Sequence, residues 1–201
     1  MPKMNVLVAG ATGETGQMVV RNLMAQGHAP TALVRGSSDT DTLPHGTDLR
    51  EGDLTDLQPG VCEGMDAVVF AAGSGSSTGP EMTDKVDRDG AKSLIDHAKA
   101  AGVTRFVMLS TIGADQSDPE GDLAHYLKAK HEADEHLQAS GLTYAILRPV
   151  ALNNDGRSSD VILGEDVDKS ATASRADVAH LLAEAAITGR YDGRALDMQS
   201  T

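Results

Sequence analysis

The feature that most limits how this chain can fold is a regular exchange between two hydrophobic patterns along its length. Strand-like runs stand at Asn5–Ala9, Pro30–Arg35, Thr47–Arg50, Ala67–Ala72, Arg105–Ser110, Tyr144–Arg148 and Ala195–Met198. Several are continuous and β-branched, as befits strands buried on both faces. Between them apolar residues recur at helical spacing. One set is Met18, Val19, Val20, Leu23 and Met24; a second is Val86, Ala91, Leu94, Ile95 and Ala98; the last is Val178, Leu181, Leu182, Ala185 and Ala186. Strands and helices alternating through short connections make an α/β, doubly wound architecture: a mostly parallel sheet with helices on both faces. The 201 residues fit a single domain, and no repeat, low-complexity tract or linker divides them.

Two stretches break the rhythm. Gly73–Pro80 is rich in Gly and Ser and reads as a loop over a site. Leu152–Ala173 is a polar insertion, read as carrying a small hairpin across Val161–Leu163 and Lys169–Thr172. In a doubly wound sheet both follow the carboxyl ends of strands, where ligands bind. Ser174 and Asp177 have capping-box spacing ahead of the last helix, a structural role.

Composition excludes several classes of function. Thirty Asp and Glu against 17 Lys and Arg give a formal charge of −13, which repels a phosphate backbone. With two Phe, three Tyr and no Trp, there is also little to stack on bases, so no nucleic-acid partner is expected. The acidic balance reads either as adaptation to high salt or as an ordinary acidic surface. No apolar run approaches the ~20 residues needed to span a bilayer. A strand-like segment begins at Asn5, leaving no room for a signal peptide, so a cytoplasmic protein with no membrane partner is expected. The lone Cys62 reads as a small core residue. The seven His have no metal-ligand spacing and no Cys or carboxylate cluster beside them, so no metal site is expected.

Gly10-Ala-Thr12-Gly13-Glu14-Thr15-Gly16 joins the first strand directly to the first helix. Glycines at this spacing permit a tight turn, close approach of backbone to a pyrophosphate, and close helix–strand packing. The helix N-terminus adds free N–H groups and the positive end of a dipole. This segment is therefore the candidate phosphate site of a Rossmann-type dinucleotide-binding fold.

Its Gly-x-x-Gly-x-x-Gly spacing resembles that of the extended and atypical short-chain dehydrogenase/reductases. The likeness continues through Val86-Asp87-Arg-Asp-Gly90, Ala101-Gly-Val-Thr-Arg-Phe-Val107 and Leu109-Ser110-Thr111. It also takes in Ala139-Ser-Gly141-Leu-Thr-Tyr-Ala-Ile-Leu-Arg148-Pro149 and Ser174-Arg-Ala-Asp177-Val-Ala. Together these resemble the atypical, NAD(P)H-binding, NmrA-like branch. The resemblance implies a central sheet of about six or seven strands with the cofactor across its carboxyl edge. It also implies that Asp53, with Leu54, contacts the adenine. Ala71, Ala72 and Gly73 would line the cofactor, and Pro149 and Val150 would flank the nicotinamide.

The tip of the second strand bears on which dinucleotide is taken. An acid there would bond the ribose 2′-hydroxyl of NAD, whereas an Arg pairs with the 2′-phosphate of NADP. Arg35 stands there, followed by Ser37 and Ser38, whose hydroxyls and N–H groups also suit a phosphate. Glu14 would oppose that phosphate if it faced inward, and Asp39 and Asp41 offer an NAD-like alternative. NADP is favoured.

Tyr126-x-x-x-Lys130 has the spacing of the superfamily's catalytic pair. On the helix expected over Leu123–Gln138, Tyr126, Lys130, Ala133 and Leu137 share one face. An ammonium on a packed face is costly unless something there needs it; the plainer alternative is Lys130 snorkelling to solvent. The resemblance implies that Tyr126 protonates a substrate carbonyl as hydride arrives. Lys130 would assist the phenol by its charge and hold the nicotinamide ribose, and Thr111, or Ser110 beside it, would orient the carbonyl. Asp87 departs from the Asn common in extended members, which puts a relay through that position in doubt.

The leading reading is an NADP-dependent oxidoreductase acting on a small carbonyl, quinone or flavin-like acceptor. A sugar-nucleotide epimerase or dehydratase would use the same Tyr and Lys but normally needs a larger C-terminal domain than residues 150–201 supply. A non-catalytic NAD(P)-sensing regulator is the third reading, against which intact Thr111, Tyr126 and Lys130 count.

Overall fold

A computed structural model describes residues 2–75, 78–158 and 160–201; Ser76 and Ser77 of the loop expected over a site, and Ser159 of the insertion, lie outside it. Ten strands are present among the described residues: β1 (Asn5–Ala9), β2 (Ala29–Val34), β3 (Asp48–Glu51), β4 (Ala67–Phe70), β5 (Arg105–Leu109), β6 (Thr143–Pro149), β7 (Ala151–Asn153), β8 (Val161–Leu163), β9 (Thr172–Ser174) and β10 (Arg194–Ser200). Eight form the central sheet in the order β3-β2-β1-β4-β5-β6-β10-β8. Every pairing in it is parallel except that of β8 with β10. The order reverses between β1 and β4, so the connections on either side diverge there and leave a crevice beyond the carboxyl ends.

Alternation along β1 shows how the layers are built. Val6 and Val8 enter one core with Val19, Val20 and Leu23 of α1 (Glu14–Ala25) and Val178 and Leu182 of α5 (Arg175–Thr188). Leu7 and Ala9 enter the other, with Leu94 and Ile95 of α3 (Ala91–Ala100) and Ala133 and Leu137 of α4 (Ala124–Ala139). Phe70 and Phe106, the only two Phe, both fill this second core.

Three expectations need correction. The helix expected from Val86 onward begins as a single turn, α2 (Pro80–Met82), followed by a π-helix over Thr83–Gly90, and becomes α-helical only at Ala91. The hairpin is absent among the described residues: Val161–Leu163 pairs antiparallel with β10, and Thr172–Ser174 pairs parallel with β7. An open edge of β10 is a stronger partner than a local turn, because it offers a complete row of unpaired N–H and C=O groups. Ser174 does cap α5, accepting from the Ala176 N–H at 3.1 Å, but Asp177 does not complete a capping box. Its carboxylate instead accepts from the Ser158 and Ser200 hydroxyls at 2.9 and 2.6 Å, tying the insertion to the end of β10. Among the described residues, no helix is long and apolar enough to cross a membrane.

Candidate functional site

The turn from β1 into α1 is shaped by two glycines for packing and leaves a third open. Gly10 has φ +78°, and a Cβ there would lie 2.6 Å from the Ala72 backbone. A Cβ on Gly16 would lie 2.0 Å from the Gly10 carbonyl oxygen. Both positions therefore exclude a side chain so that β1, α1 and the end of β4 can touch. Gly13 is different: a Cβ would meet only the Gly10 oxygen, at 3.3 Å. Gly13 is also the N-cap of α1 and supplies no side-chain cap, which leaves the first-turn N–H groups free for an anion.

A groove of about 360 Å³ opens in front of this turn. Gly10, Thr12 and Gly13 form one wall, Arg35 and Ser38 one end, and Leu54, Ala71, Ala72, Gly73 and Ser74 the opposite side. Leu33, Gly52, Thr78, Met82 and Val86 complete the described lining; of these, sequence reasoning points only to Thr78, within the Gly73–Pro80 loop. Met82 and Val86, four residues apart, reach it from the helical segment that follows the loop. Arg35 is the only charged side chain among the described lining residues. Its N–H donates to Ser38 Oγ at 3.0 Å while its carbonyl accepts from the Ser38 N–H at 2.9 Å, so the two are locked in one turn.

Other expected cofactor residues stand near the groove without lining it. Glu14 pairs with Arg175 at the start of α5, 3.0 Å away, and is not among the described lining residues. Thr15 and Gly16 are buried beneath the loop, and Ser37 is exposed. Asp39 accepts from the Asp41 N–H at 3.1 Å. Asp53 accepts from the N–H and hydroxyl of Thr55 at 2.9 and 2.8 Å. Those bonds, with Arg35 nearby, hold its carboxyl below the usual range. Pro149 and Val150 are buried, the Val150 N–H being donated to the Met198 carbonyl.

The candidate catalytic residues lie after the carboxyl end of β5 (Ser110, Thr111) and on α4 (Tyr126, Lys130), and none of them lines the described groove. Thr111 and Tyr126 are both half-buried, and neither side-chain hydroxyl makes a hydrogen bond among the described residues. Ser110 is committed elsewhere: its hydroxyl donates to Asp134 Oδ2 at 2.9 Å, an atom that also accepts from Arg148 Nε at 3.0 Å. Burial pushes the Asp134 carboxyl upward, against the opposing pull of Arg148, Ser110 and Lys130. Sequence reasoning missed Asp134, although it stands one turn beyond Lys130 on the same buried face. Lys130 is itself buried, which rules out snorkelling, and its Nζ donates to the Leu109 carbonyl at 3.0 Å.

With this geometry in place, comparison with known proteins is informative. A family model described as NAD(P)H-binding matches residues 10–188. The chain belongs to the NAD(P)H-binding family. It is 35% identical to the uncharacterized sugar epimerase YhfK of Bacillus subtilis, over 97% of this chain and 94% of that protein. Sanguinarine reductase of Eschscholzia californica is 26% identical, over 98% of this chain and 89% of that one. A Bacillus halodurans structure, provisionally assigned as an NAD-dependent epimerase/dehydratase, superposes with a TM-score of 0.92. Its identity is 33%, covering 98% of this chain and 94% of that one. The family's description, NAD(P)H-binding, supports a nicotinamide cofactor as the ligand. The residues present fit one: an uncapped helix N-terminus behind a bare Gly13 suits a pyrophosphate, and the described walls around it carry no anionic side chain.

Proposed function

We propose that this member of the NAD(P)H-binding family is an NADP-dependent oxidoreductase reducing a small carbonyl, quinone or flavin-like acceptor. The observation that carries the choice of NADP is Arg35, a lone cation among the described residues at the β2 end of an otherwise uncharged groove. A guanidinium there matches the planar, multidentate chemistry of a 2′-phosphate. Asp39 and Asp41, the NAD-like alternative, do not line the groove. When bound, the nicotinamide supplies the hydride. Thr111 hydrogen-bonds the substrate oxygen, and Tyr126 gives it a proton from a hydroxyl that no other described residue holds. The first turn of α1 and the glycine loop hold the phosphates. The protein would act in the cytoplasm on a small molecule, with neither nucleic acid nor membrane as partner.

The names of two relatives favour one second reading, an epimerase or dehydratase built on the same residues. The two part over cofactor balance. An oxidoreductase consumes NADPH in step with acceptor, whereas an epimerase returns its cofactor unchanged. Calorimetric titration with NADPH and NADH, followed by turnover of a carbonyl, quinone and flavin panel, tests the proposal. Arg35→Ala should weaken NADPH by about 1.5–3 kcal/mol, roughly 10- to 150-fold, and spare NADH. Equal weakening of both would remove the case for NADP. Epimerisation of a sugar nucleotide without net NADPH oxidation would favour the second reading.

A further inference from the structure

The Tyr126–Lys130 spacing invites the view that the lysine reaches into the cofactor groove. The ammonium, however, is already surrounded. Lys130 is 3% exposed, and Nζ lies 3.0 Å from the Leu109 carbonyl oxygen, 3.7 Å from Asp87 Oδ1 and 6.0 Å from the centroid of the Phe70 ring. One N–H donates to the carbonyl, while the carboxylate at 3.7 Å and the aromatic face at 6.0 Å attract the charge from beyond hydrogen-bond reach. Leu109 ends β5 and Phe70 ends β4, so the charge rests against the tips of two central strands.

Asp87 is buried just as deeply, at 1% exposure. One oxygen faces Lys130 and has no hydrogen bond of its own among the described residues; the other accepts from the Ser74 N–H at 3.0 Å. Ser74 forms part of the groove wall, and its hydroxyl lies 3.3 Å from that of Thr83. Val86 of the π-helix lines the groove, while the next residue, Asp87, is buried beneath the wall. Either charge alone would be expensive to bury, and losing one partner leaves the other uncompensated.

We propose that Asp87 and Lys130 are a single positioning unit. Their ion pair holds the Ser74 segment of the groove wall against the ends of β4 and β5. Lys130 serves the cofactor through Asp87 and Ser74, without touching its ribose. This rests on reading the groove as the dinucleotide site.

The test is a double-mutant cycle with Lys130→Met, Asp87→Asn and the two combined. It is read by NADPH and NADH affinity and by amide exchange at Ser74 in the cofactor-free protein. Each single change should weaken both cofactors tenfold or more and speed Ser74 exchange. The neutral pair should recover to within about threefold of wild type, since the side-chain amide introduced by Asp87→Asn still offers an oxygen to the Ser74 N–H. If Lys130 instead bonds the ribose, the double variant will bind no better than Lys130→Met, and the proposal falls. It falls equally if the single variants bind like wild type. Should Asp87→Asn fail to fold, Lys130→Met against the double variant still decides. If the wild type binds neither dinucleotide, the groove reading fails by itself, and the Ser74 exchange pattern still judges the ion pair.

Discussion

The two faces of the central sheet are built differently. On the α1 and α5 side, the core is a continuous apolar layer of Val, Leu, Ile, Ala and Met in which Tyr191 is the only aromatic among the described residues. The one deeply buried charge described there, Asp177, sits at the rim, where Ser158 and Ser200 satisfy it. On the α3 and α4 side, three charged residues lie at 3% exposure or less: Asp87, Lys130 and Asp134. All three sit toward the carboxyl ends of β4, β5 and β6, beside the groove wall and the strand end carrying Thr111. An apolar layer is the cheaper way to stabilise a domain, since every buried charge must recover its desolvation cost through partners. Charge concentrated on one face marks where the fold gives up stability to place polar atoms. One side anchors the sheet, and the other arranges the chemistry.

The largest effect that would sharpen this contrast falls on Tyr126. Replacing it by Phe keeps the ring and removes a hydroxyl that no other described residue occupies. Carbonyl reduction should drop by ~10²–10⁴-fold while NADPH affinity stays the same. A quinone or flavin acceptor, able to take its proton from water, should barely register the change. Loss of cofactor binding in this variant would show Tyr126 to be part of the packing instead.

On the anchoring face, Leu182 is fully buried between α5 and the sheet. Leu182→Ala should cost about 2–5 kcal/mol in denaturant unfolding. NADPH affinity should stay within about twofold of wild type, because no described groove residue belongs to α5. A comparable loss of affinity would break the division between the faces.

A smaller effect concerns the surface the two faces share. If the formal charge of −13 reflects salt adaptation, the melting temperature should climb as NaCl rises from tens of millimolar to molar, because screening relieves carboxylate repulsion. A flat or falling curve would leave an ordinary acidic protein. The smallest expected effect is at Cys62, 1% exposed, whose thiol burial pushes up to about 11. Iodoacetamide at about pH 8 should leave it unmodified in the native protein and alkylate it on unfolding. Rapid native labelling would mean that the α3 side opens far more readily than its packing implies.

Much of this molecule could be read from local pattern alone. Apolar runs located the long strands to within a residue or two, because a strand covered on both faces has no polar alternation to confuse it. The glycine loop was legible for a similar reason: Gly10 and Gly16 are imposed by backbone contacts between sequential elements, and Arg35 follows directly from the end of β2. What escaped was non-local. Val161–Leu163 joined the sheet edge instead of a hairpin, because three half-buried residues carry too little pattern to choose between a near partner and a distant one. Asp87, Asp134 and Arg148 acquired their partners only when α4, the π-helix and the strand ends came together, and Arg175 met Glu14 only when α5 packed beside α1. Spacing could place Lys130 on the inner face of its helix, but not say which atoms would surround the ammonium there. Periodicity fixes the direction in which a side chain points; the oxygen at the far end of that direction belongs to another segment, and only tertiary packing supplies it.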